Sequence, residues 1–124
     1  MCPRSTREKG LRSEEIARRY LTAKGYRILD VNFQTRMGEI DIIARHRDTV
    51  VFIEVKSSTG NGFGSPLDRV PPWKQRRIIR VSQAYLVKNR LQDAQSRYDV
   101  VAIDPDRRVY HVEDAFRPSD ELFM

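Results

Sequence analysis

Four ionisable residues lie at the ends of two of the most hydrophobic segments of the sequence. Glu39 and Asp41, which alternation places on one face, lie within GEIDIIA, and Glu54 and Lys56 lie within TVVFIEVKS. Because burying a charged side chain is costly unless it is paired or binds a metal, these positions need an explanation. If the two segments are neighbouring strands, Asp41 and Glu54 converge on one point with Lys56 beside it. The pattern is compatible with an ion pair at a sheet edge or with a metal site, and we expect the metal site.

Carboxylates without a neighbouring His or Cys favour a hard cation that prefers oxygen ligands, here Mg²⁺ or Mn²⁺. We expect Asp41 and Glu54 to supply carboxylate oxygens, Val55 to add its carbonyl, and Glu14 to complete the set from a preceding helix. The ion would polarise a phosphate and lower the pKa of a bound water. Lys56 would orient that water or stabilise the charge that develops on the phosphorane.

The elements that must position these residues follow from hydrophobic periodicity and turn signals. A helix is predicted over 13–24 with Ser13 as its N-cap, and a second helix over 73–90. Alternation predicts that Ile40 and Ile42 share one face of the sheet, opposite the charged side chains. The fold class is α/β, with a mixed sheet and the order α-β-β-β-α-β-β. The predicted strands cover residues 26–33, 38–44, 49–57, 98–104 and 108–113.

Length and composition restrict the class of protein. The chain of 124 residues fits one domain over 1–124, with 1–12 and 115–124 as candidates for flexible ends. A single cysteine, Cys2, excludes an intrachain disulfide framework and a Cys-rich zinc site. The first residues lack the apolar core of a secretory signal, and no apolar run is long enough to cross a membrane. We therefore expect a cytoplasmic protein without a membrane partner.

The positive charge is concentrated in two segments. The formal net charge is +6, but residues 69–90 hold seven basic residues and no acidic one, and residues 1–27 are also basic. Such a surface suits a polyanion, although a solvated helix face is the alternative. Trp73 could stack on a base or pack at the helix start, and packing is the expectation. The residues expected to contact nucleic acid are Lys74, Arg76, Arg77, Arg80 and Gln83.

The order of Glu14, Asp41 and Glu54-Val55-Lys56 along the chain resembles the PD-(D/E)xK nuclease superfamily with its restriction endonuclease-like fold. The runs Asp41-Ile42-Ile43-Ala44 and Phe52-Ile53-Glu54-Val55-Lys56 are similar to archaeal Holliday junction resolvases. Nearly the whole chain resembles the small bacterial YraN family, whose members are predicted to be endonuclease-like. That similarity also includes Gly38-Glu39-Ile40-Asp41, Phe63-Gly64-Ser65-Pro66, Lys74-Gln75-Arg76-Arg77 and Asp99-Val100-Val101.

The resemblance implies that Asp41 and Glu54 are metal ligands, that Lys56 is the catalytic lysine and that Glu14 is an accessory ligand. It implies a metal-dependent DNA endonuclease or junction-processing nuclease, with branched DNA among its candidate substrates and a homodimer as a candidate assembly. The departures from the pattern are Ser13 in place of Gly and Ile40 in place of the Pro that names the motif. Two alternatives stay open, a non-catalytic nucleic-acid-binding module and an interaction protein whose carboxylates form structural ion pairs.

Overall fold

The computed structural model describes residues 6–57 and 70–118, with side chains described from residue 12 onward. Within these described residues, two helices and five strands follow one another in the predicted order α-β-β-β-α-β-β, which confirms the mixed α/β class. The elements are α1 (Thr6–Ala23), β1 (Arg27–Thr35), β2 (Gly38–His46), β3 (Thr49–Ser57), α2 (Pro72–Lys88), β4 (Gln95–Ile103) and β5 (Val109–Phe116). Neither of these helices combines the length and apolar character needed to cross a membrane.

The first helix begins earlier than the sequence pattern predicts. It starts at Thr6, so Ser13 lies inside the helix and the prediction of Ser13 as its N-cap is wrong. The Ser13 hydroxyl instead shares a hydrogen bond of 2.6 Å with the hydroxyl of Ser57, at the end of β3. A serine can satisfy its hydroxyl across an interface as readily as at a helix end, and the local sequence does not distinguish the two.

The strands lie in the sheet in their chain order, β1-β2-β3-β4-β5. Neighbours are antiparallel except β3 and β4, which pair in parallel from Thr49–Gln95 to Ser57–Ile103. A parallel pair needs a crossover connection, and α2 lies within it. This arrangement places α2 against the sheet directly after β3, the strand that carries Glu54 and Lys56.

Both faces of the sheet are buried. One face packs against α2 through a cluster that includes Phe52 and Ile79, and the other packs against α1 through Leu21 and Ile53. Ile40 lies on the α2 side while Ile42 lies on the α1 side, so the prediction that both share one face is wrong. Regular pairing of β2 with β3 covers only Ile42–His46. Between Ile40 and Ile42, where this pairing has ended, side chains no longer alternate regularly between the two faces of the sheet.

A buried polar cluster ties β4, β5 and α1 together. Asp99 is 1% exposed and accepts hydrogen bonds from Nε and Nη2 of Arg97, at 2.8 and 2.9 Å, and from the Asp114 N–H at 3.0 Å. Its other neighbour is Nε2 of His111 at 2.7 Å, and Nδ1 of the same ring lies 3.3 Å from the Tyr20 hydroxyl. Each buried polar side-chain atom of this cluster has a hydrogen-bond partner. The cluster therefore acts as a brace that links β4, β5 and α1.

Candidate active site

The site forms where β2 and β3 stop pairing. Asp41 immediately precedes Ile42, whose partner Ile53 is the last residue of β3 in the regular ladder with β2. The Oδ2 atom of Asp41 accepts a hydrogen bond of 2.8 Å from the N–H of Val55. A carboxylate therefore occupies the place of a backbone acceptor and holds the two strands in register beyond the ladder.

Three carboxylates from two elements meet at this point. Glu14 of α1, and Glu39 and Asp41 of β2, each offer an oxygen atom, and these three oxygens lie within 4.8 Å of one another. Asn32 of β1 faces the same group. With its amide nitrogen turned toward the carboxylates, it lies 3.1 Å from Oε2 of Glu14 and 2.9 Å from Oε1 of Glu39. The result is a cluster of oxygen ligands with one neutral donor.

The electrostatics of this cluster disfavour three negative charges. Burial, together with the charge of Glu54, raises the pKa of Asp41 to about 8, although the Val55 hydrogen bond acts in the opposite direction. Burial also raises the pKa of Glu14, and the charge of Glu39 adds to that effect while the hydrogen bond from Asn32 opposes it. The group therefore favours binding of a proton or a cation.

Glu54 lies beside this cluster and is paired with two lysines. Its side chain is buried, and its Oε1 atom is 2.6 Å from Nζ of Lys74 and 3.6 Å from Nζ of Lys56. Burial and the neighbouring Lys74 lower the pKa of Lys56. Burial also acts to lower the pKa of Lys74, but the hydrogen bond and charge of Glu54 outweigh it and raise that pKa.

The N-terminal half of α2 presents a basic surface next to the carboxylates. Met37, Trp73 and three arginines line a shallow depression of about 300 Å³. Within the described part of the chain, these arginines form no ion pair with an acidic side chain. Gln83 is exposed further along the same helix. We define the basic face as Arg76, Arg77 and Arg80.

The structure brings most of the predicted site residues together. Asp41 lies near the start of β2, and Glu54 and Lys56 lie near the end of β3. Because the two strands are antiparallel, these positions are at the same edge of the sheet, and Glu14 approaches Asp41 from α1. Val55 contributes its N–H to Asp41, and a role for its carbonyl as a metal ligand stays a prediction.

Two residues acquire positions that the sequence analysis did not assign. Glu39 joins the carboxylate cluster, and its spacing of two from Asp41 on one strand was a usable signal. Lys74 contacts Glu54 because α2 folds back onto the end of β3, and its contact with nucleic acid stays a prediction. No local pattern indicates that long-range contact.

Comparison with known proteins gives one family. Residues 13–103 match the model of the "Uncharacterised protein family UPF0102". A UPF0102 protein of Alkaliphilus oremlandii (strain OhILAs) is 47% identical over 112 residues, which are 86% of this chain and 96% of the relative. Those of Syntrophus aciditrophicus (strain SB) and Persephonella marina (strain DSM 14350 / EX-H1) are 46% identical over 110 residues and 41% over 108. These two alignments cover 86% and 87% of this chain, and 87% and 92% of the relatives. The range matched by the family model includes every residue of the carboxylate cluster and the basic face.

Proposed function

The chain belongs to the UPF0102 family, which is the YraN family that its sequence resembles, and we propose from its candidate site that it is a Mg²⁺- or Mn²⁺-dependent DNA endonuclease. The observation that carries the proposal is the meeting of Glu14, Glu39 and Asp41 within 4.8 Å, beside a carboxylate that two lysines contact. Acidic oxygens and lysines at one point suit the hydrolysis of a phosphodiester bond.

The donor set fits a hard divalent cation. Its side chains offer only oxygen atoms, which Mg²⁺ and Mn²⁺ prefer. Burial and the charge of Glu54 raise the pKa of Asp41, and a bound cation would act in the opposite direction. Asp41 would hold the ion with Glu14 and Glu39, and Glu54 would join them by releasing Lys74. When bound, the ion would polarise a phosphate oxygen and activate a water molecule.

The remaining chemistry belongs to the side chains of the chain itself. Lys56 and Lys74 place two ammonium groups at the edge of the carboxylate cluster, where negative charge develops on a phosphate during hydrolysis. The lowered pKa of Lys56 makes a proton transfer at its Nζ atom easier than at an ordinary lysine. Arg76 and Arg80 would hold the phosphate backbone without reading its sequence.

A second candidate is a nucleic-acid-binding module without catalysis. The ion pair of 2.6 Å between Lys74 and Glu54 favours it, because that contact satisfies one of the predicted metal ligands without a cation. Both candidates use the basic face to bind DNA, and they differ only in whether a phosphodiester bond is cut.

A cleavage assay separates the two candidates. Purified protein is incubated with end-labelled duplex, single-stranded and four-way DNA in Mn²⁺ and in EDTA. We expect cleavage that requires the metal and that Asp41→Asn and Glu54→Gln each reduce by at least about 100-fold. Asp93→Asn, which changes an exposed carboxylate, serves as the matched control. Salt-dependent binding without cleavage of any substrate would reject the nuclease and support the binding module.

A further inference from the structure

We propose that Trp73 is a stacking platform for an unpaired base of DNA beside the active site, an inference that rests on the proposed function. Trp73 lies in the first turn of α2 and the residue is 52% exposed, so the expectation that it packs at the helix start is only partly met. A large aromatic ring that stays in contact with water at a basic surface is suited to receive a flat ligand.

The ring is held in place from one side. The guanidinium of Arg77 lies over it, with its carbon 5.1 Å from the ring centroid. The aliphatic part of Arg77 in turn crosses Gly38 at the start of β2, so closely that a Cβ atom there would lie 2.6 Å from Cδ of Arg77. The hairpin between β1 and β2 thus fixes Arg77, and Arg77 supports Trp73.

The same depression offers the groups that a nucleotide needs. Arg76 and Arg80 line it together with Trp73 and supply positive charge for a phosphate, while the Trp73 and Met37 side chains supply apolar contact for a base. Stacking on an aromatic ring tolerates any base, because every base has a π face. A base inside a duplex has both faces covered by its neighbours, so this depression favours an unpaired nucleotide.

The position of the platform relates it to the cutting site. Lys74, the residue after Trp73, contacts Glu54. Successive side chains of a helix point about 100° apart, so α2 directs Lys74 toward the carboxylates and Trp73 toward the adjacent depression. A base on Trp73 would therefore belong to a nucleotide that flanks the phosphate at the carboxylate cluster. The proposed substrate is DNA with unpaired nucleotides next to the cut, rather than a continuous duplex.

Trp73 is the single tryptophan of the chain, so its fluorescence reports directly on this contact. The full-length protein in EDTA is titrated with oligothymidylate or with a duplex of equal length, and binding is followed in parallel by anisotropy of the labelled DNA. We expect oligothymidylate to quench the fluorescence. Trp73→Ala should weaken its binding roughly 5- to 150-fold, and Trp73→Phe should retain most of the affinity. Duplex binding should change less than about twofold in either variant.

Arg80→Ala is the matched control for charge. It should weaken the binding of both oligothymidylate and duplex DNA and reduce the dependence of binding on salt. The inference is overturned if oligothymidylate does not bind or binds without quenching the fluorescence. It is also overturned if Trp73→Ala weakens the binding of both DNAs equally while the variant melts at the same temperature as the wild type. Because EDTA excludes cleavage, the two proposals fail separately. Quenching without any metal-dependent cleavage would reject only the nuclease, and cleavage without quenching would reject only the platform.

Discussion

Nζ of Lys74 lies 2.6 Å from Oε1 of Glu54, closer than Nζ of Lys56, which lies 3.6 Å from the same oxygen. Lys56 comes from the strand of Glu54 itself, whereas Lys74 is brought from α2 across the end of the sheet. One buried carboxylate is thus shared by two ammonium groups of different origin. The helix that carries the basic face also contributes Lys74 to the candidate active site.

Removal of Lys74 should strengthen the binding of a divalent cation. Lys74→Met takes away the closer of the two positive charges on Glu54 and leaves only Lys56, at 3.6 Å, so we expect Mn²⁺ to bind roughly 3- to 10-fold more tightly. Isothermal titration calorimetry at low salt measures the affinity. Lys88→Met changes a lysine in the last turn of the same helix and should leave it unchanged. An affinity that falls in Lys74→Met would show that Lys74 does not compete with the metal.

Asp41→Asn should stabilise the protein in the absence of divalent metal. The pKa of Asp41 is raised to about 8 by burial and by Glu54, so its contribution to stability is present below about pH 4 and is lost as the pH rises through about 8. An amide keeps an oxygen that can accept the Val55 hydrogen bond and carries no charge. We expect a gain of about 1–3 kcal/mol at pH 8 and a smaller gain at pH 5, measured by urea denaturation in EDTA.

The exposed Asp93→Asn is the control for that measurement and should change the free energy of unfolding by less than about 0.5 kcal/mol at either pH. Equal stability of Asp41→Asn and the wild type at pH 8 would show that burial and the charge of Glu54 do not disfavour the charged form of Asp41.

Gly38→Ala should destabilise the protein through two separable effects. Gly38 has φ of +149°, which an L-residue rarely adopts, and an added Cβ would collide with Cδ of Arg77. We expect a loss of about 2–4 kcal/mol in thermal or urea denaturation. Gly25→Ala is the matched control, because Gly25 has φ of +94° with no atom within 4 Å of an added Cβ, and it should cost about 1–2 kcal/mol.

A double-mutant cycle separates the collision from the backbone strain. Combining Gly38→Ala with Arg77→Ala removes the colliding side chain, so the two losses should be less than additive by about 1 kcal/mol or more. Strict additivity would mean that Arg77 moves aside without cost and does not depend on the glycine.

Asp99 should control the loss of stability in acid. Burial acts to raise its pKa, but the hydrogen bonds with His111, Arg97 and the Asp114 N–H outweigh this and lower it. Stability from such a group is present above its ordinary pKa of 3.8 and is lost as the pH falls through the lower, folded value. Asp99→Asn should therefore cost about 3 kcal/mol at pH 7, and the difference from the wild type should shrink at pH 3. Urea denaturation at both pH values tests this, and an unchanged difference would contradict it.

The order of elements could be predicted because each helix and strand carries its own periodic pattern. The ends of β3 are the same in prediction and structure, Thr49–Ser57, since both bounds coincide with a change from hydrophobic to turn-forming residues. The position of Asp41 and Glu54 on neighbouring strands followed from a pairing of β2 with β3 that the short turn at His46–Asp48 favours. Local sequence was sufficient wherever neighbours in the chain are also neighbours in the sheet.

What the sequence did not predict depends on contacts between distant segments. Lys74 reaches Glu54 only because α2 crosses the end of β3, and the Ser13 hydroxyl finds its partner in Ser57 of β3 while α1 begins at Thr6. The brace around Asp99 joins His111 to Arg97 across a strand pair, and neither residue has a distinctive neighbour in the chain. The break in side-chain alternation before Ile42 depends on where the pairing between β2 and β3 ends. None of these features has a periodic or spacing signal.

The hydrogen bond from the Val55 N–H to Asp41 gives the protein a built-in spectroscopic probe. The chemical shift of an amide proton depends on the charge of the carboxylate that accepts its hydrogen bond. Its exchange with solvent is slower while that hydrogen bond is formed. In a ¹H–¹⁵N spectrum, the Val55 signal should therefore report whether Asp41 carries a proton, a free charge or a cation. In ¹⁵N-labelled protein, one backbone amide makes the state of the carboxylate cluster visible without a substrate or an attached reporter group.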